Sequence, residues 1–490
     1  MSNEQHNIAR NTVPTRENRL NTITAYVGSG NEIEGKARGG CLLQQDRRFS
    51  QSAACAEMMP LCNSALIDGN AVIAHSPVGC SGMLSVINII GKAGRLMRGM
   101  LAQNARSIST NLSEHDVVYG GGAELEKAIL EADARYSPPA ITIVTSCASG
   151  IIGDDVDSIV KGVQHRVKAT LIPMQCEGFR SGVVSTGYDA FLSALLQVID
   201  PPKRKRQDTL LLINPLSISR PNEVEIERLL QQLGLKAQWF PLFTDFENVR
   251  DAAETAGVAS LCSLMSNYFF KQFKDKFDVP FVEPPMPVGL EFTDWWLRDV
   301  GKMLGIEDRV EQLIESEHAR VRPQIEELKA QLQGKRAYIG FNLEKSLSLQ
   351  SLLIELGIET VVSTGFEYSD AYGLDRIENL NKRCSGNYTL HIGNFQHFEW
   401  AHLFNREKPD MLVGGLELGG AALRQGVPVA PVLPGTFYLG YDGAVNYGKE
   451  IVKSLRNTAF SRKLAERVKL PYRKSWFRQK THKYIGRSEP

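Results

Sequence analysis

The residues of this sequence with the most distinctive chemistry are its eight cysteines. Three of them stand beside turns. Cys80 ends the segment 75–80, Cys147 follows the β-branched run 141–145, and Cys55 lies among small residues. Thiolates are ligands that iron prefers, and turns rich in small residues let the backbone approach a bulky group closely. These positions would suit iron–sulfur ligation, but taken singly each is more typical of a buried cysteine that only fills space.

Two absences limit the chemistry of the chain itself. No pair of cysteines has the C-x-x-C spacing of zinc fingers and small ferredoxin clusters. No G-x-x-x-x-G-K-[ST] loop is present, and the glycine triplet 120–122 has no lysine placed to reach a phosphate, so we interpret it as a turn before a helix. The sequence therefore predicts no ATP hydrolysis by this chain, and a plain nucleotide-binding module is the least favoured class of function.

Composition excludes further classes of function. The net charge is +1, and the basic run 203–206 is short and follows two prolines, so we expect no nucleic acid and no membrane as a partner. Residues 1–22 are polar, and no apolar stretch approaches the roughly 18 residues needed to span a bilayer. We therefore expect a cytoplasmic protein, whose cysteines stay reduced and available as ligands.

Repeated βα units are the elements that would position these cysteines. β-branched runs, each followed by a turn and a helical pattern, indicate buried parallel strands at 140–144, 209–213, 336–339 and 411–413. At 490 residues the chain is too long for one hydrophobic core. We predict the α/β class, with three Rossmann-like domains that contain parallel sheets. Their predicted bounds are 1–206, which includes an N-terminal extension and Cys55, Cys80 and Cys147; 207–334, which includes Cys262; and 335–490, which includes a C-terminal tail.

Two further segments have predicted positions. A long polar helix over 307–333 is expected to connect the second and third domains. The basic, aromatic tail 470–490 is expected to lie on a partner or on the first domain.

Six segments, by their order and intervals, resemble the α-type subunits of nitrogenase component 1. The resemblance covers nearly the whole chain, and the segments that carry it are 75–80, 146–155, 176–180, 262–268, 364–368 and 408–410. It implies the nitrogenase component 1 fold and a β-type subunit of the same family in an α2β2 heterotetramer. It also implies a separate iron protein that hydrolyses ATP and delivers electrons.

The resemblance implies ligand roles for particular cysteines. Those that hold the α side of the P-cluster, an iron–sulfur cluster shared with the β-type subunit, correspond to Cys55, Cys80 and Cys147. Cys62 competes with Cys55, which we prefer because its distance from Cys80 fits the family after one deletion. The cysteine that anchors the catalytic iron–sulfur cofactor corresponds to Cys262. The resemblance gives no ligand role to Cys41, Cys176 and Cys384.

Several positions depart from the nitrogenase pattern. The glutamine and histidine that line the cofactor in nitrogenases are replaced here by Val184 and Tyr188. One cofactor-side arginine is replaced by Leu343, and another falls on about Asn88. Charged and hydrogen-bonding groups thus give way to apolar or neutral ones, which implies a pocket for a more apolar substrate.

Two more departures concern the cofactor itself. The lysine that holds homocitrate falls on about Leu418, and the segment 432–435 lacks the histidine that ligates molybdenum or vanadium. An anionic organic acid buried there would lose its charge partners, which is costly. The resemblance with these departures implies a large all-iron cofactor without homocitrate, molybdenum or vanadium.

Within the family, the sequence most resembles the methylthio-alkane reductases, nitrogenase-like enzymes of sulfur metabolism. These cleave C–S bonds of small methylthio compounds and release methanethiol and a hydrocarbon. Tyr188 is the candidate hydrogen-bond or proton donor, and the alternative is a packed aromatic wall. His391 and His397 are conceivable further ligands, and satisfied or exposed histidines are the alternative. Two other functions stay open: a scaffold for maturation of nitrogenase cofactor, and a divergent nitrogenase that reduces dinitrogen.

Overall fold

The described chain opens on a strand that belongs to the last sheet rather than to the first. The computed structural model describes residues 22–47, 55–181, 183–214 and 219–479. Strand β1 (Ala25–Ser29) and helix α1 (Gly30–Arg38) come first, and β1 runs antiparallel to a strand of the third sheet. The division at 206, 207, 334 and 335 stays a prediction, but the described N-terminal segment does not pair with the first sheet.

The first sheet has four parallel strands in the order β3–β2–β4–β5. These strands are β2 (Ala71–His75), β3 (Arg106–Ser109), β4 (Ala140–Thr145) and β5 (Thr170–Met174). The helices of this unit are α2 (Met58–Ser64), α3 (Val78–Ser81), α4 (Met83–Met97), α5 (Glu114–Tyr119), α6 (Gly122–Tyr136), α7 (Cys147–Ile152), α8 (Val156–Val163) and α9 (Ser185–Leu196), with 3₁₀ turns at Gln164–Arg166 and Gly178–Arg180. Every residue of β2 and β4 is buried, as expected for parallel strands covered on both faces.

The second sheet is also parallel, in the order β7–β6–β8–β9. Its strands are β6 (Thr209–Ile213), β7 (Lys236–Phe240), β8 (Gly257–Ser260) and β9 (Phe281–Val282). The helices are α10 (Arg220–Gln232), α11 (Phe246–Arg250), α12 (Ser263–Phe277), α13 (Gly289–Leu304) and the long α14 (Glu307–Leu332).

The third sheet is mixed, in the order β1–β12–β11–β10–β13–β14, and only β1 is antiparallel to its neighbour. Its other strands are β10 (Arg336–Gly340), β11 (Glu359–Gly365), β12 (Thr389–Gly393), β13 (Met411–Gly414) and β14 (Val429–Pro431). The helices are α15 (Leu343–Glu355), α16 (Asp370–Cys384), α17 (His397–Glu407), α18 (Leu416–Leu423), α19 (Gly440–Arg456), α20 (Ala459–Arg467) and α21 (Lys474–Phe477).

Most of the predicted elements are confirmed. The four β-branched runs are strands β4, β6, β10 and β13, and the predicted polar helix is α14. α14 does more than connect, because a stripe of its apolar residues packs against α13 and α19. Gly120 has a φ of +98° and α6 begins at Gly122, so the glycine triplet is the turn that the sequence predicts.

The described part of the C-terminal tail lies on the third unit, so the predicted position on the first domain was wrong, and the alternative position on a partner stays a prediction. The Trp476 ring lies 3.9 Å from that of Phe398 and 4.6 Å from that of His402, between ring centroids. The Nε2 atom of His402 donates to the carbonyl of Gln479 at 3.0 Å. These contacts hold residues 470–479 against α17, and residues 480–490 lie outside the described chain. Within the described ranges, we find no helix that combines the length and the apolar character of a membrane span.

Candidate iron–sulfur cluster sites

Three of the predicted cysteines follow the carboxyl ends of parallel strands. Cys80 lies in α3 after β2, Cys147 opens α7 directly after β4, and Cys262 follows β8 and precedes α12. Ligands bind outside these strand ends in open α/β sheets. A capping box formed by Ser146 and Ser149 fixes the start of α7, and it therefore fixes the backbone that carries Cys147.

Cys55, Cys80 and Cys147 come together around Gly178; we call these three thiols the interface thiols. A Cβ atom built on Gly178 would lie 2.6 Å from the Cys55 Sγ and 3.4 Å from the Cys147 Sγ. Cys80 lies within electrostatic range of both other thiols. Cys62 is buried in α2 and is not among the groups that act on Cys55 or Cys80. The geometry therefore favours Cys55 over Cys62 as the partner of Cys80 and Cys147.

The surroundings of Cys55 and Cys80 disfavour free thiolates at these two positions. Burial raises the pKa of Cys55, and burial followed by the Glu57 carboxylate raises that of Cys80 to about 11. The Cys80 thiol donates a hydrogen bond to Glu57, whose own pKa is raised to about 7 by burial and, to a smaller extent, by Glu177. At neutral pH the thiols of Cys55 and Cys80 stay protonated until a cation displaces the protons, as thiol ligands of metals do. Three thiols in one place fit an iron–sulfur cluster.

Exposed apolar residues lie on segments close in sequence to the interface thiols, and we call them the apolar rim. We define it by Val78, Ile89, Ile151 and Phe179, whose residues are 70%, 73%, 73% and 54% exposed. They belong to α3, α4, α7 and the 3₁₀ turn Gly178–Arg180, the segments that also carry or adjoin the thiols. Large exposed apolar side chains near a candidate cluster site are consistent with a surface for protein contact.

Cys262 is a buried thiol held by a serine network. Its residue is 2% exposed, and its backbone N–H donates to the Ser260 Oγ at 2.9 Å. Ser260 and Ser266 share a hydrogen bond of 2.9 Å, and the Ser266 hydroxyl also donates to the Cys262 carbonyl at 3.2 Å. Burial, and secondly the Glu344 carboxylate, raise the pKa of Cys262 to about 12. This thiol is rigidly placed but needs a cation to ionise.

Tyr188 meets Cys262 across the boundary between the first two units. The Tyr188 hydroxyl lies within electrostatic range of the thiols of Cys262 and Cys62, and the Asn63 side chain hydrogen-bonds to it. Burial, with smaller effects of the two thiols, raises the pKa of Tyr188 far above its usual value. The Asn63 Oδ1 atom is buried and has no hydrogen-bond partner among the described residues. An unsatisfied acceptor beside a buried thiol and a hydroxyl is consistent with a ligand between them.

The remaining predicted lining residues divide into two groups. Val184 is partly buried one helical turn before Tyr188, and Leu343 is fully buried in the same apolar core as Cys262. Leu418 packs instead over Gly340, in a separate core beneath the third sheet. Asn88 accepts a hydrogen bond of 2.7 Å from the Ala105 N–H, which ties a helix to a loop of the first unit.

The charge of this region differs from what the sequence predicts. Lys345 is only 3% exposed and lies within electrostatic range of the Cys262 thiol. The departures at Leu343 and Leu418 predicted that the site has lost its cationic side chains. Lys345, two residues after Leu343, nevertheless places a basic side chain near Cys262. The group Cys262, Tyr188, Cys62, Asn63 and Lys345 is called the Cys262 site below.

The two conceivable histidine ligands are occupied elsewhere. The Nε2 atom of His391 lies 2.6 Å from the Glu399 carboxylate, and the His397 ring packs on Trp400 with centroids 4.8 Å apart. Over the described ranges, no three or more His, Cys, Asp and Glu side chains are grouped so as to hold one metal ion.

Sequence reasoning missed three members of the Cys262 site. Cys62 was considered only as a competitor of Cys55, and Asn63 and Lys345 were not considered at all. The sequence of α2 does not indicate that the residues before this helix lie at the interface thiols while Cys62 and Asn63, near its end, lie at the Cys262 site. For Lys345 a signal was present, since it lies near the amino end of α15, close to a strand end that already carried a predicted lining residue.

Comparison with known proteins agrees with this architecture. Residues 55–456 match the family described as nitrogenase component 1 type oxidoreductase. The chain therefore belongs to that family.

Individual relatives are of two kinds. The chain is 27% identical over 389 residues to the nitrogenase iron-molybdenum cofactor biosynthesis protein NifE of Methanococcus maripaludis, a match that spans 77% of this chain and 78% of the relative. It is also 27% identical over 439 residues to the nitrogenase molybdenum-iron protein alpha chain of Methanothermobacter marburgensis, across 85% of this chain and 89% of the relative. The solved structure of nitrogenase Cp1 at pH 5 superposes with a TM-score of 0.70 at 20% identity, and covers 91% of this chain and 100% of that one. That likeness confirms the predicted fold.

Proposed function

We propose that this chain is the α-type subunit of a nitrogenase-like reductase that cleaves C–S bonds of small methylthio-alkanes. The observation that carries the proposal is the meeting of the Tyr188 hydroxyl with the Cys262 thiol. Val184 and Leu343, which are apolar, stand at the neighbouring predicted lining positions. A thiol that anchors a cofactor, a neutral hydroxyl and apolar walls suit an uncharged thioether better than a charged substrate.

The proposed reaction balances as a reductive cleavage. A thioether R–S–CH₃ takes up two electrons and two protons; the R–S bond breaks, a C–H bond and an S–H bond form, and R–H and CH₃SH leave. The iron–sulfur cofactor, when bound, supplies the electrons. Tyr188 orients the substrate, because its raised pKa keeps the hydroxyl protonated as a donor of a hydrogen bond or of a proton. Burial of the site excludes bulk water from the reacting bond.

Cys262 is the residue proposed to hold the cofactor. Its thiol is buried, and a buried lysine within electrostatic range offsets negative charge, so the residues present fit an anionic iron–sulfur group. Since the segment 432–435 contains no histidine and Leu418 lies in a separate core, the cofactor is proposed to be all-iron, without homocitrate, molybdenum or vanadium. Stoichiometric molybdenum or vanadium in active complex would contradict this composition.

The interface thiols are proposed to hold the α side of a P-cluster-like relay. The apolar rim near them supports a β-type subunit as the covering partner, because a relay shared between subunits must lie at their contact surface. An α2β2 assembly with a separate ATP-hydrolysing iron protein, in the cytoplasm, completes the proposal. Electrons would enter at the interface thiols and continue to the Cys262 site.

A second function is favoured by one specific observation. The identity of this chain to a NifE protein equals its identity to a nitrogenase alpha chain, 27% in both cases. A maturation scaffold would also use a buried cysteine to hold a cluster, but it would release the cluster instead of turning over a substrate. A divergent nitrogenase is less favoured, because the positions of its cofactor-side histidine and glutamine hold Tyr188 and Val184.

One experiment separates the reductase from the scaffold. The anaerobically purified complex is incubated with its iron protein, ATP, a low-potential reductant and a methylthio-alkane, and methanethiol and hydrocarbon are measured by gas chromatography. The proposal predicts both products in equal amounts, dependent on ATP. No product, together with transfer of an intact cluster to apo-nitrogenase, would establish the scaffold function instead.

A further inference from the structure

Glu57 is a buried acidic residue that joins two of the interface thiols. It directly precedes α2, and its residue is 3% exposed. The backbone N–H groups of Glu57 and Met58 donate to the Cys55 thiol, and the Glu57 side chain accepts a hydrogen bond from the Cys80 thiol. One residue therefore contacts Cys55 through its backbone and Cys80, which lies in α3, through its carboxylate.

The backbone that carries Glu57 is held in place by α9. A side chain at Gly187 of α9 would collide with the carbonyl of Ala56, so this helix lies directly against the segment. Side chains at the position before a helix commonly accept from its free N–H groups. The Glu57 side chain makes no such hydrogen bond to α2, and its carboxylate is directed to the interface thiols instead.

The surroundings of the Glu57 carboxylate lack a positive charge. Its Oε1 atom is buried and has no hydrogen-bond partner among the described residues. Of the charged side chains in the described chain, only that of Glu177 acts on it, and this group is also acidic. A buried carboxylate without a cation or a full set of donors costs free energy.

Metal binding by the interface thiols would remove the hydrogen bond that Glu57 does have. A thiol binds iron as a thiolate, so Cys80 gives up its proton when it becomes a ligand. The Glu57 carboxylate is then left beside the metal, and carboxylate oxygens are ligands of iron in other protein sites. Within the described ranges no three such side chains are close enough to hold one metal ion, so Glu57 and the thiols would bind different iron atoms of one cluster.

We propose that the Glu57 carboxylate, through Oε1, is a fourth ligand that this chain supplies to the iron–sulfur cluster at the interface thiols. This inference rests on the proposed function, since it requires a cluster at these thiols. The α side of the relay then has oxygen as well as sulfur ligands. The competing arrangement is a protonated Glu57 that only donates a hydrogen bond to a sulfur atom of the cluster.

The substitution Glu57→Gln separates these two arrangements. Glutamine has nearly the same shape and can donate a hydrogen bond to sulfur, but its neutral amide does not replace a carboxylate as a ligand. In the anaerobic complex, Glu57→Gln should hold relay iron roughly 10- to 100-fold more weakly than wild type in a titration with a chelator, as loss of groups at metal sites does. If Glu57 only donates a hydrogen bond, the variant should hold iron as wild type does.

Glu177→Gln is the matched control. Glu177 is a second buried acidic residue that acts on Glu57, but its Oε1 already accepts from the Thr145 hydroxyl at 3.2 Å. The control therefore removes acidic charge from the same region without removing the proposed ligand, and it should retain relay iron as wild type does.

A spectroscopic readout detects the bond itself. The complex is labelled with ¹³C at the side-chain carboxyl of glutamate, and electron–nuclear double resonance is recorded on the EPR signal of the relay. A strong ¹³C coupling is expected in wild type and in Glu177→Gln, and it should be missing from Glu57→Gln. The metal-free Glu57→Gln chain should melt at or above the wild-type temperature, because a buried carboxylate without a cation is removed.

Three results would overturn the inference. Relay iron held by Glu57→Gln as tightly as by wild type would assign the carboxyl to a hydrogen bond alone. Equal weakening in Glu57→Gln and Glu177→Gln would show that charge near the thiols matters rather than a ligand. A lower melting temperature of the metal-free Glu57→Gln chain would assign Glu57 to packing. If the wild-type complex holds no relay iron, the proposed function itself fails, which is a distinguishable outcome.

Discussion

Cys55 and Cys147 flank Gly178 so closely that any side chain there would displace a thiol. The Cβ of an alanine would lie 2.6 Å from the Cys55 Sγ, inside the distance that atoms of this kind tolerate. We expect Gly178→Ala to weaken metal binding at the interface thiols roughly 10- to 100-fold, as changes next to metal ligands do. Iron content and the EPR signal of the relay would measure this. Gly162→Ala is the control, because a Cβ there meets nothing within 4 Å, and equal iron in both variants would contradict the arrangement.

Cys147→Ala should remove the relay cluster and weaken association with the β-type subunit, since metal binding and assembly are coupled at a shared site. Cys55→Ser should act in the same way. Cys62→Ser should leave the relay intact, because Cys62 faces Tyr188 rather than the interface thiols. Size-exclusion chromatography with iron analysis distinguishes these variants, and a relay lost in Cys62→Ser but kept in Cys55→Ser would reverse the assignment.

Tyr188→Phe tests the role of the hydroxyl at the Cys262 site. If the hydroxyl gives a proton in the transition state, methanethiol release should slow roughly 10²- to 10⁴-fold with cofactor content unchanged. Tyr447→Phe is a matched control, since its buried hydroxyl donates to the Ala430 carbonyl at 2.9 Å, outside the Cys262 site. A Tyr188→Phe complex as fast as wild type would show that the ring is only a wall.

Glu399 makes the stability of the third unit depend on pH. Burial opposes its ionisation, but the hydrogen bond from His391 and the guanidinium of Arg47 lower its pKa to about 2. The lowered value contributes stability that is present above the unfolded pKa of about 4.3 and is lost as pH falls towards 2, about 3 kcal/mol in all. Glu399→Gln should remove that amount at pH 7 and flatten the acid dependence in denaturant titrations. Glu378→Gln, which breaks an exposed ion pair with Arg38, should change stability by less than about 1 kcal/mol, and equal losses in both variants would refute this account.

Much of the fold could be predicted because each buried parallel strand is recognisable in the sequence as a short run of apolar residues. Runs such as 140–144 and 209–213 are apolar except for one threonine each, and they are buried throughout because helices cover both faces of their sheets. The sequence of β1 contains no such apolar run. Its partner strand β12 lies far along the chain, and its burial varies along its length, so only tertiary pairing reveals it. The tail was misplaced for a similar reason, because the aromatic residues that it packs against lie on α17.

In the candidate sites, too, some residues could be placed from the sequence and others could be placed only from the tertiary packing. Cys80, Cys147 and Cys262 follow strand ends, and the strand ends of one sheet share an edge, so their placement follows from the predicted topology. The meeting of Cys62 with Tyr188 does not, since it depends on how α2 packs against α9. The nearness of Lys345 to Cys262 depends likewise on how the amino end of α15 lies against the second unit.

The central claim is that the thiol of Cys262 holds the cofactor at which the C–S bond is cleaved. The most direct measurement is methanethiol release by the wild-type and Cys262→Ala complexes, each with iron protein and ATP, while EPR monitors the relay cluster in the same samples. The account predicts that Cys262→Ala releases no methanethiol and keeps the relay signal, because the two clusters use different cysteines. Methanethiol released by Cys262→Ala at the wild-type rate would contradict it.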